Sequence, residues 1–316
     1  MINYQRNFVT LHQKYSDMKL ERVVINKFWG KYNLDLHLDP DVNILTGANG
    51  SGKTTILDIV ITLLANYTEE YCQQLYDNAI LYLSGNTVIK SITEDNGKKK
   101  NLFYVNGSET NYQDISEELQ FESVATFDTP MMPVEAIKNM KESYTWLRSE
   151  LDFRLKENQD EYNRLQATLL NRVKQLMEGE NPDIKEMREL TSILNDFKEI
   201  ANEMFAPKKQ FNEEKGEVFF TLSDDNKKKI TLDKLSSGEK QLLILLFSTV
   251  AWNKGECLIF WDEPEISLHI EWQRKLIRVI RQLNPNMQLI IATHSPSILF
   301  EGWENRVLNI EELLEQ

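Results

Sequence analysis

Residues 43–60 read NILTGANGSGKTTILDIV, and this stretch is the strongest indicator of the fold class. A short apolar segment predicts a strand, and an apolar pattern with helical spacing begins after the glycines. The pattern G-x-x-x-x-G-K-[ST] is satisfied between them by Gly47, Gly52, Lys53 and Thr54. Glycine lets backbone N–H groups turn toward phosphate oxygens, and a helix N-terminus favours negative charge. The sequence therefore predicts a loop that holds the phosphates of a nucleotide.

The chemistry of this loop predicts specific contacts. Lys53 is expected to reach the β- and γ-phosphates, and the Thr54 hydroxyl is expected to hold Mg²⁺. A tight structural turn is the alternative interpretation. No [NT]-K-x-D pattern for reading guanine stands out, which favours ATP as the nucleotide.

Length, charge and cysteine content bound the class of protein. The 316 residues suffice for one large domain or two smaller ones with a substantial core. The two cysteines cannot build a disulfide framework or a four-ligand zinc site by themselves. No apolar run approaches a bilayer span, and the first residues lack the pattern of a secretory signal. We therefore expect a cytoplasmic protein with no membrane association.

The charge balance bears on nucleic-acid binding. With 49 acidic against 36 basic residues the net charge is −13, so the whole molecule is not expected to attract nucleic acid at long range. A local basic stripe could still operate, and its candidates are Lys98, Lys99, Lys100, Lys227, Lys228, Lys229, Arg274, Lys275, Arg278 and Arg281. The two lysine runs lie at predicted hairpin tips, so solvated turn lysines are the favoured interpretation.

The chain alternates between strand and helix patterns, which predicts an α/β fold. Strand patterns fill residues 18–46, helical spacing runs from Thr54 to about Tyr76, and strands return between residues 79 and 127. Residues 134–205 predict two antiparallel helices that form a hairpin arm, and strands alternate with helices after Pro207. We expect a mainly parallel sheet flanked by helices, an early antiparallel β subdomain and the inserted arm. The predicted segments are residues 1–130, 131–206 and 207–316.

Two acidic residues follow a predicted buried strand in the sequence CLIFWDEPE. Asp262 is suited to hold Mg²⁺, and Glu263 can accept a proton from a water that attacks the γ-phosphate. Ligands of open α/β sheets bind at such carboxyl ends. Alone, an acidic pair in this position more often caps a helix, but a phosphate loop in the same chain favours the catalytic interpretation.

Two more segments carry candidate chemistry. The signature segment, residues 235–241 (LSSGEKQ), places Ser236 and Gly238 at a helix start, where an anion can bind. One nucleotide needs one phosphate loop, so this second site suggests a nucleotide held by another polypeptide. An ordinary serine N-cap is the alternative. His294 follows a buried strand in IIATHSP, where its imidazole can sense the γ-phosphate or serve a structural role.

These segments, in this order, resemble the ATP-binding cassette (ABC) superfamily of ATPases. Glu-Lys after the signature glycine is similar to the SMC and RecF branch. The sequence DEPEISLHIEWQRKL followed by ATHSP is closer still to the OLD-like ATPases, which include the PtuA-type and retron-associated ATPases of bacterial anti-phage systems. The resemblance covers roughly residues 18–130 and 207–310.

The resemblance implies roles for particular residues. The Walker A loop would consist of Gly47, Ala48, Asn49, Gly50, Ser51, Gly52, Lys53, Thr54 and Thr55. The Walker B pair would be Asp262 and Glu263, and His294 would be the switch histidine. The signature that caps a nucleotide of the opposite protomer would consist of Ser236, Ser237 and Gly238. The D-loop, which meets the other protomer in this superfamily, would fall at Ser267, Leu268 and His269.

The sequence also departs from the family pattern. The usual glutamine after the early-lobe strand is not evident, and Asp128 or Thr129 stands there instead. The arm is short and has no Cys-x-x-Cys, so it holds no zinc hook. About twenty residues follow His294, whereas OLD nucleases continue into a TOPRIM domain, so we expect any nuclease activity to belong to a partner.

The resemblance implies a homodimer that sandwiches two ATP molecules head to tail. We expect ATP hydrolysis to switch this dimer and to regulate a separate effector, a nuclease or toxin, in anti-phage defence. A RecF-like or SMC-like DNA-repair ATPase that acts directly on DNA is the alternative, and a transporter cassette or a non-catalytic scaffold are further ones. Phe28, Trp29 or Tyr32 could stack on adenine or form a buried cluster, and Trp146 is expected in the arm core.

Overall fold

The computed structural model describes residues 18–67, 74–125, 149–179, 183–214, 216–224, 228–299 and 302–315. The strands are β1 Leu20–Phe28, β2 Tyr32–His37, β3 Val42–Thr46, β4 Asn78–Leu83, β5 Thr87–Thr93, β6 Lys99–Val105, β7 Ser108–Thr110, β8 Phe121–Ala125, β9 Lys209–Glu214, β10 Glu217–Leu222, β11 Lys229–Thr231, β12 Leu258–Asp262, β13 Gln288–Ala292, β14 Val307–Asn309 and β15 Leu314–Glu315. The helices are α1 Lys53–Leu64, α2 Tyr112–Ser116, α3 Glu150–Glu178, α4 Ile184–Phe205, α5 Ser237–Ala251, α6 Ile270–Leu283 and α7 Ile310–Leu313. Short 3₁₀ turns lie at Leu232–Lys234, Pro296–Leu299 and Glu304–Arg306.

The chain divides into two compact units. The first unit comprises Met1–Ala125, Gly255–Pro264 and Asn286–Gln316, and the second comprises Thr126–Lys254 and Glu265–Pro285. The predicted segments follow the order of the chain, whereas these units interleave, because β12, β13 and β14 return to the first unit. In the described part of the chain, no helix is long and apolar enough to cross a bilayer.

The first unit contains a parallel and an antiparallel sheet. The parallel sheet has the strand order β14-β3-β13-β12-β8, and the antiparallel sheet has the order β15-β2-β1-β4-β5-β6-β7. Every residue of β12 and of β13 is buried, as expected for inner parallel strands. Helix α1 joins both sheets in one apolar core through Ile56, Ile59 and Val60. The predicted α/β class, with its early antiparallel subdomain, is confirmed.

Helix α1 ends earlier than the sequence pattern predicts. It stops at Leu64, not near Tyr76, because Asn66 adopts a left-handed conformation with φ 49°. The Tyr67 N–H then bonds the Thr62 carbonyl at 2.9 Å, and the Asn66 N–H bonds the Leu63 carbonyl at 3.1 Å. This pair of bonds is a Schellman motif, which satisfies the last carbonyls of the helix and turns the chain away.

The second unit contains the predicted hairpin arm. Tyr162 of α3 packs on Phe197 of α4 at a ring distance of 4.6 Å, and Arg172 pairs with Glu186 at 2.9 Å nearer the tip. Partner numbers fall along one helix as they rise along the other, so the two helices are antiparallel. The arm starts at a capping box in which Ser149 and Asp152 bond each other's backbone N–H groups. Trp146 lies outside the described residues.

Apart from the arm, the described residues of the second unit form a small sheet and two longer helices. The strands β9, β10 and β11 form an antiparallel sheet in the order β11-β10-β9, and β9 was not predicted. An aromatic cluster joins Phe211 of β9 and Phe247 of α5 to Phe197. Helix α6 begins at Ile270, after Ser267, whose φ of 67° no right-handed helix accommodates.

Candidate active site

The candidate active site lies where neighbouring parallel strands of the first unit end. Ala292 of β13 pairs with Leu45 of β3 and with Asp262 of β12, so the strands reach the same sheet edge in register. A different predicted functional segment lies at each strand end. The phosphate loop follows β3, the acidic pair begins at the last residue of β12, and His294 follows β13. Ligands bind at such carboxyl ends because loops there converge. The fold thus assembles residues that are far apart in sequence.

The phosphate loop depends on glycine at its turns. Gly47, Gly50 and Gly52 have φ values of 147°, 81° and 97°, which side chains with a Cβ rarely adopt. Gly52 is also the N-cap of α1, and no side chain caps this helix. A Cβ on Gly52 would lie 2.8 Å from the Phe28 ring. The loop therefore packs against the Phe28 ring, and the N-terminus of α1, which no side chain caps, is suited to bind an anion.

Lys53 extends its ammonium group within this loop. Its Nζ donates to the carbonyls of Gly47 at 3.0 Å and Ala48 at 3.2 Å, and the residue is only 4% exposed. The Nε2 atom of His294 lies 2.9 Å from the same Nζ. The predicted phosphate-binding lysine and the predicted switch histidine are therefore neighbours.

His294 also contacts the second carboxylate of the acidic pair. Its Nε2 lies 3.1 Å from Oε1 of Glu263, so a neutral ring can accept from Lys53 and a protonated ring can donate to Glu263. Glu263 has a φ of 48°, and its N–H bonds the Ala292 carbonyl at 2.8 Å. This left-handed conformation costs about 1 to 3 kcal/mol, and such strain clusters at functional sites.

Thr54 and Asp262 form the other polar pair of the site. The Thr54 hydroxyl donates to both carboxylate oxygens of Asp262 at 3.0 Å, and Asp262 is 8% exposed. Hydroxyl and carboxylate oxygens are the hard ligands that Mg²⁺ prefers, and Mg²⁺ usually takes its remaining ligands from phosphate and water. This donor set fits the predicted metal, with Thr54 and Asp262 side by side.

The three candidate stacking aromatics have different environments. Phe28 is completely buried, whereas Trp29 stacks on it at 4.4 Å and is 39% exposed. The Trp29 ring reaches the space above Gly52, 3.0 Å from an ideal Cβ there. Tyr32 lies under the ammonium of Lys31. Trp29 is thus the aromatic ring with an exposed face beside the phosphate loop.

The signature segment lies in the second unit, at the start of α5. Ser236 and Ser237 are exposed, and Gly238 is buried. The Ser236 hydroxyl accepts from the Glu239 N–H at 3.4 Å, and the Glu239 carboxylate accepts from the Ser236 N–H at 2.9 Å. The N-cap interpretation of Ser236 is therefore confirmed, and the S-x-x-E spacing could have predicted this capping box. An anion-binding role for Ser236, Ser237 and Gly238 stays a prediction.

Gly238 is fixed by packing as well as by its place in the signature. A Cβ on Gly238 would overlap the backbone carbonyl oxygen of Ser267, which belongs to the predicted D-loop. His269 of the same loop caps α6 by accepting from the Glu271 N–H at 3.3 Å. The signature and the predicted D-loop are in direct contact within the second unit, a contact the sequence does not reveal.

Most of the described basic candidates have structural partners. Lys99 donates to the carbonyls of Tyr76 and Asp77, both at 2.5 Å, and burial lowers the pKa of its ammonium group. Lys229 pairs with Glu214 at 2.9 Å. On α6, Arg278 and Lys275 both approach Glu203. These lysine and arginine side chains bind carbonyl or carboxylate groups of the protein, whereas a basic stripe would direct them to the phosphates of a nucleic acid.

Some predicted residues lie outside the part of the chain that the structure describes. Strand β8 ends at Ala125, before Asp128 and Thr129, which stand where the family has its usual glutamine. Cys72 and Lys227 also lie outside the described ranges. Their roles stay predictions.

Two family models match this chain. A family model described as "AAA domain, putative AbiEii toxin, Type IV TA system" matches residues 109–299, and one described as "P-loop containing region of AAA domain" matches residues 20–71. Septu protein PtuA of Bacillus thuringiensis is 22% identical over 304 residues, which is 89% of this chain and 72% of that protein.

Other relatives match shorter regions. The retron Vc95 probable ATPase of Vibrio cholerae serotype O1 biovar El Tor is 30% identical over 100 residues, 28% of this chain and 19% of the relative. The DNA replication and repair protein RecF of Salmonella typhi is 50% identical over 46 residues, 15% of this chain and 13% of that protein.

Solved structures support the fold. An SMC head bound to the C-winged helix domain of ScpA superposes with a TM-score of 0.57 at 14% identity, covering 89% of this chain and 91% of that chain. The SMC head domain from Thermotoga maritima gives a TM-score of 0.52 at 14% identity, with the same coverage. The predicted ATPase-head fold is thereby confirmed.

Proposed function

This chain belongs to the family described as "AAA domain, putative AbiEii toxin, Type IV TA system", and we propose that this ATPase is a dimeric switch that regulates a separate effector protein. The observation that carries the proposal is the contact of Lys53, His294 and Glu263 beside the Thr54–Asp262 pair. These residues stand at the ends of adjacent strands, where the phosphates of ATP would lie on the first turn of α1.

The geometry supports a direct hydrolysis mechanism. The N–H groups of the phosphate loop and Lys53 would bind the β- and γ-phosphates of ATP. Glu263 would accept a proton from water that attacks the γ-phosphate, and His294 would stabilise the transferred phosphate while it orients Glu263. Thr54 and Asp262 would hold Mg²⁺, which neutralises phosphate charge when bound. The Trp29 ring would stack on the adenine base.

A second copy of the chain would complete the site. Ser236 and Ser237 are exposed at the N-terminus of α5, where an anion held by another protomer can approach. We infer a head-to-tail homodimer in which the signature of each protomer contacts the ATP held by the other. ATP binding would close this dimer, and hydrolysis would open it.

The Glu263→Gln variant tests the dimeric switch. It keeps the shape of the site and removes the proton acceptor, so ATP with Mg²⁺ should convert the variant to a stable dimer. Light scattering after gel filtration measures the mass, and Lys53→Gln combined with Glu263→Gln provides a control that should stay monomeric. Wild-type hydrolysis per chain should also rise with protein concentration. A Glu263→Gln protein that binds ATP but stays monomeric at high concentration contradicts the switch.

Regulation of an effector in anti-phage defence is supported by the similarity to PtuA and to the retron probable ATPase. The effector would be a nuclease or toxin encoded beside this chain. Coexpression of the chain with its neighbouring genes should protect cells from phage, and Glu263→Gln should abolish protection while both proteins remain abundant. Equal protection by the variant would show that hydrolysis does not control the effector.

The RecF relative favours a second candidate function, an ATPase that acts directly on DNA. Duplex DNA would then stimulate ATP turnover several-fold, and raising the salt concentration would remove the effect because phosphate contacts depend on ionic strength. Turnover that ignores DNA at low salt would leave the effector-regulating switch as the better account.

A further inference from the structure

Glu239 and Lys240, two consecutive residues of the signature segment, form ion pairs with the two ends of the arm. We call these ends, at Asp152 and Lys209, the arm roots. Lys240 Nζ lies 2.6 Å from Asp152 Oδ1, in the first turn of α3. Lys209 Nζ lies 2.6 Å from Glu239 Oε1, and Lys209 is the first residue of β9, which follows α4. Each end of the arm therefore contacts the start of α5 through a charged group.

These pairs are largely shielded from solvent. Side-chain exposures are 13% and 6% for Lys240 and Asp152, and 16% and 17% for Lys209 and Glu239. A surface pair of the same unit, Lys229–Glu214, has a similar distance of 2.9 Å but exposures of 51% and 56%. Shielded pairs are screened less, and removing one partner costs more than at the surface. The enclosed pairs can therefore fix geometry, whereas the surface pair contributes little.

Glu239 connects Lys209 at the arm root to Ser236 at the start of the signature helix α5. Burial disfavours its charge, but bonds from Lys209 and from the Ser236 N–H outweigh burial, so the pKa of its carboxyl lies below the usual range. One carboxylate oxygen faces Lys209, and the other accepts from the Ser236 N–H at 2.9 Å. A displacement of Lys209 therefore acts on the carboxylate that orients the Ser236 backbone.

The arm also contacts α6, the helix that follows the predicted D-loop. The Trp272 indole N–H of α6 donates to the Met204 carbonyl at 2.6 Å, and Arg278 pairs with Glu203 at 2.5 Å. Both partners lie in the last turns of α4. Gly238 packs against the carbonyl of Ser267. A shift of the arm root can therefore act on the signature segment both through its ion pairs and through the predicted D-loop.

We propose that Asp152 and Lys209 are positioning residues that set the conformation of the signature segment according to the position of the arm, an inference that rests on the proposed dimeric switch. A partner that moves the arm helices would thereby change how Ser236 and Gly238 meet the ATP of the second protomer. The position of the arm then influences the ATPase site, and the ATP-dependent switch in turn influences the arm.

Amide hydrogen exchange of the full-length, nucleotide-free chain tests the positioning directly. In Asp152→Asn and in Lys209→Gln, exchange should rise about tenfold at the amides of Glu239 and Lys240, which bond Ser236, because a charged hydrogen bond is lost. The amides of α1 should not change. Glu214→Gln, which removes the exposed pair, is the matched control and should leave the signature amides unchanged.

Unchanged exchange at the signature in both variants overturns the inference. A uniform rise over the whole second unit also overturns it, because the pairs would then only stabilise the fold. Lys240→Gln supplies a second check. Its effect and that of Asp152→Asn should not add in the double variant if the two residues act as one pair.

Dimerisation tests the consequence for the switch. In a Glu263→Gln background, Asp152→Asn should raise the Kd of the ATP-dependent dimer about tenfold, while ATP binding to the monomer changes less than about twofold. If Glu263→Gln alone fails to dimerise, the proposed function is wrong, and hydrogen exchange still decides the positioning. If Asp152→Asn leaves the dimer Kd unchanged, the inference is overturned and the switch stands.

Discussion

The phosphate loop of the first unit and the signature segment of the second are both glycine-containing turns that open a helix. Their helix N-termini differ in chemistry. Gly52 caps α1 without a side chain, and the first turn of α1 contains no acidic residue. Ser236 caps α5 within a capping box whose acidic member, Glu239, also pairs with Lys209. The N-terminus of α1 is prepared for a ligand, whereas that of α5 is partly satisfied by its own side chains.

A glycine before a helix therefore does not by itself define a phosphate site. The phosphate loop leaves its N–H groups to a ligand and adds the ammonium group of Lys53. In the signature segment, Glu239 instead bonds the Ser236 N–H and holds the backbone in place. Under the proposed dimeric switch, this surface would meet a nucleotide bound by the other protomer. Changes at the two sites should therefore separate ATP binding from the later steps.

The largest expected effect comes from Lys53. Lys53→Gln removes the ammonium group from the phosphate loop, so ATP hydrolysis should fall roughly 100- to 1000-fold, as when a transition-state donor is lost. Phosphate release measures the rate. Lys234→Gln removes an exposed lysine near the signature, and its rate should stay within about twofold of wild type. Equal losses in both variants would remove the distinction between the two helix starts.

The next largest effects are expected at Gly52 and Gly238, where an added Cβ would come too close to neighbouring atoms. Gly52→Ala should weaken ATP binding roughly 10- to 100-fold, because φ is 97° and the new Cβ would lie 2.8 Å from the Phe28 ring. Gly238→Ala should destabilise the second unit by about 1 to 3 kcal/mol through overpacking against Ser267, while ATP binding persists. Nucleotide titration and urea unfolding separate the two outcomes. Gly179→Ala, whose Cβ would have ordinary contacts beginning at 3.6 Å, is the tolerated control.

A smaller effect is expected at the N-cap of α5. Ser236→Ala removes the hydroxyl that accepts from the Glu239 N–H, which should cost about 1 kcal/mol of stability. Ser236→Gly should cost only a few tenths of that, because glycine is a tolerated N-cap. Urea denaturation measures both. Identical losses for alanine and glycine would mean that the hydroxyl bond has no part in the effect.

The smallest effect concerns pH. Because the folded pKa of Glu239 lies below its ordinary value of 4.5, its stabilising contribution is complete above that value and is lost as the pH falls through the folded pKa. The difference in thermal stability between wild type and Glu239→Gln should therefore be constant from pH 6 to about pH 5 and shrink below the ordinary value. A difference that grows on acidification would show that Glu239 is not stabilised as the anion.

The sequence predicted the phosphate loop, the acidic pair and His294, because each is a short pattern tied to the end of an apolar strand. It also predicted the arm, since helical spacing and the loss of glycine extend over a long stretch. It placed the end of α1 wrongly, because the left-handed turn at Asn66 interrupts an apolar pattern that continues. It missed β9, whose charged sequence KQFNEE has no strand pattern.

Local patterns in the sequence specify the residue types of the site and the elements that carry them, because glycine conformation, strand burial and helix periodicity are local properties. Which distant groups meet depends on how the whole chain folds. Thr54 bonds Asp262 across 208 positions of sequence, and Lys240 bonds Asp152 across 88. Such pairs depend on strand order, register and the return path of the arm, and a local pattern of polarity contains none of these.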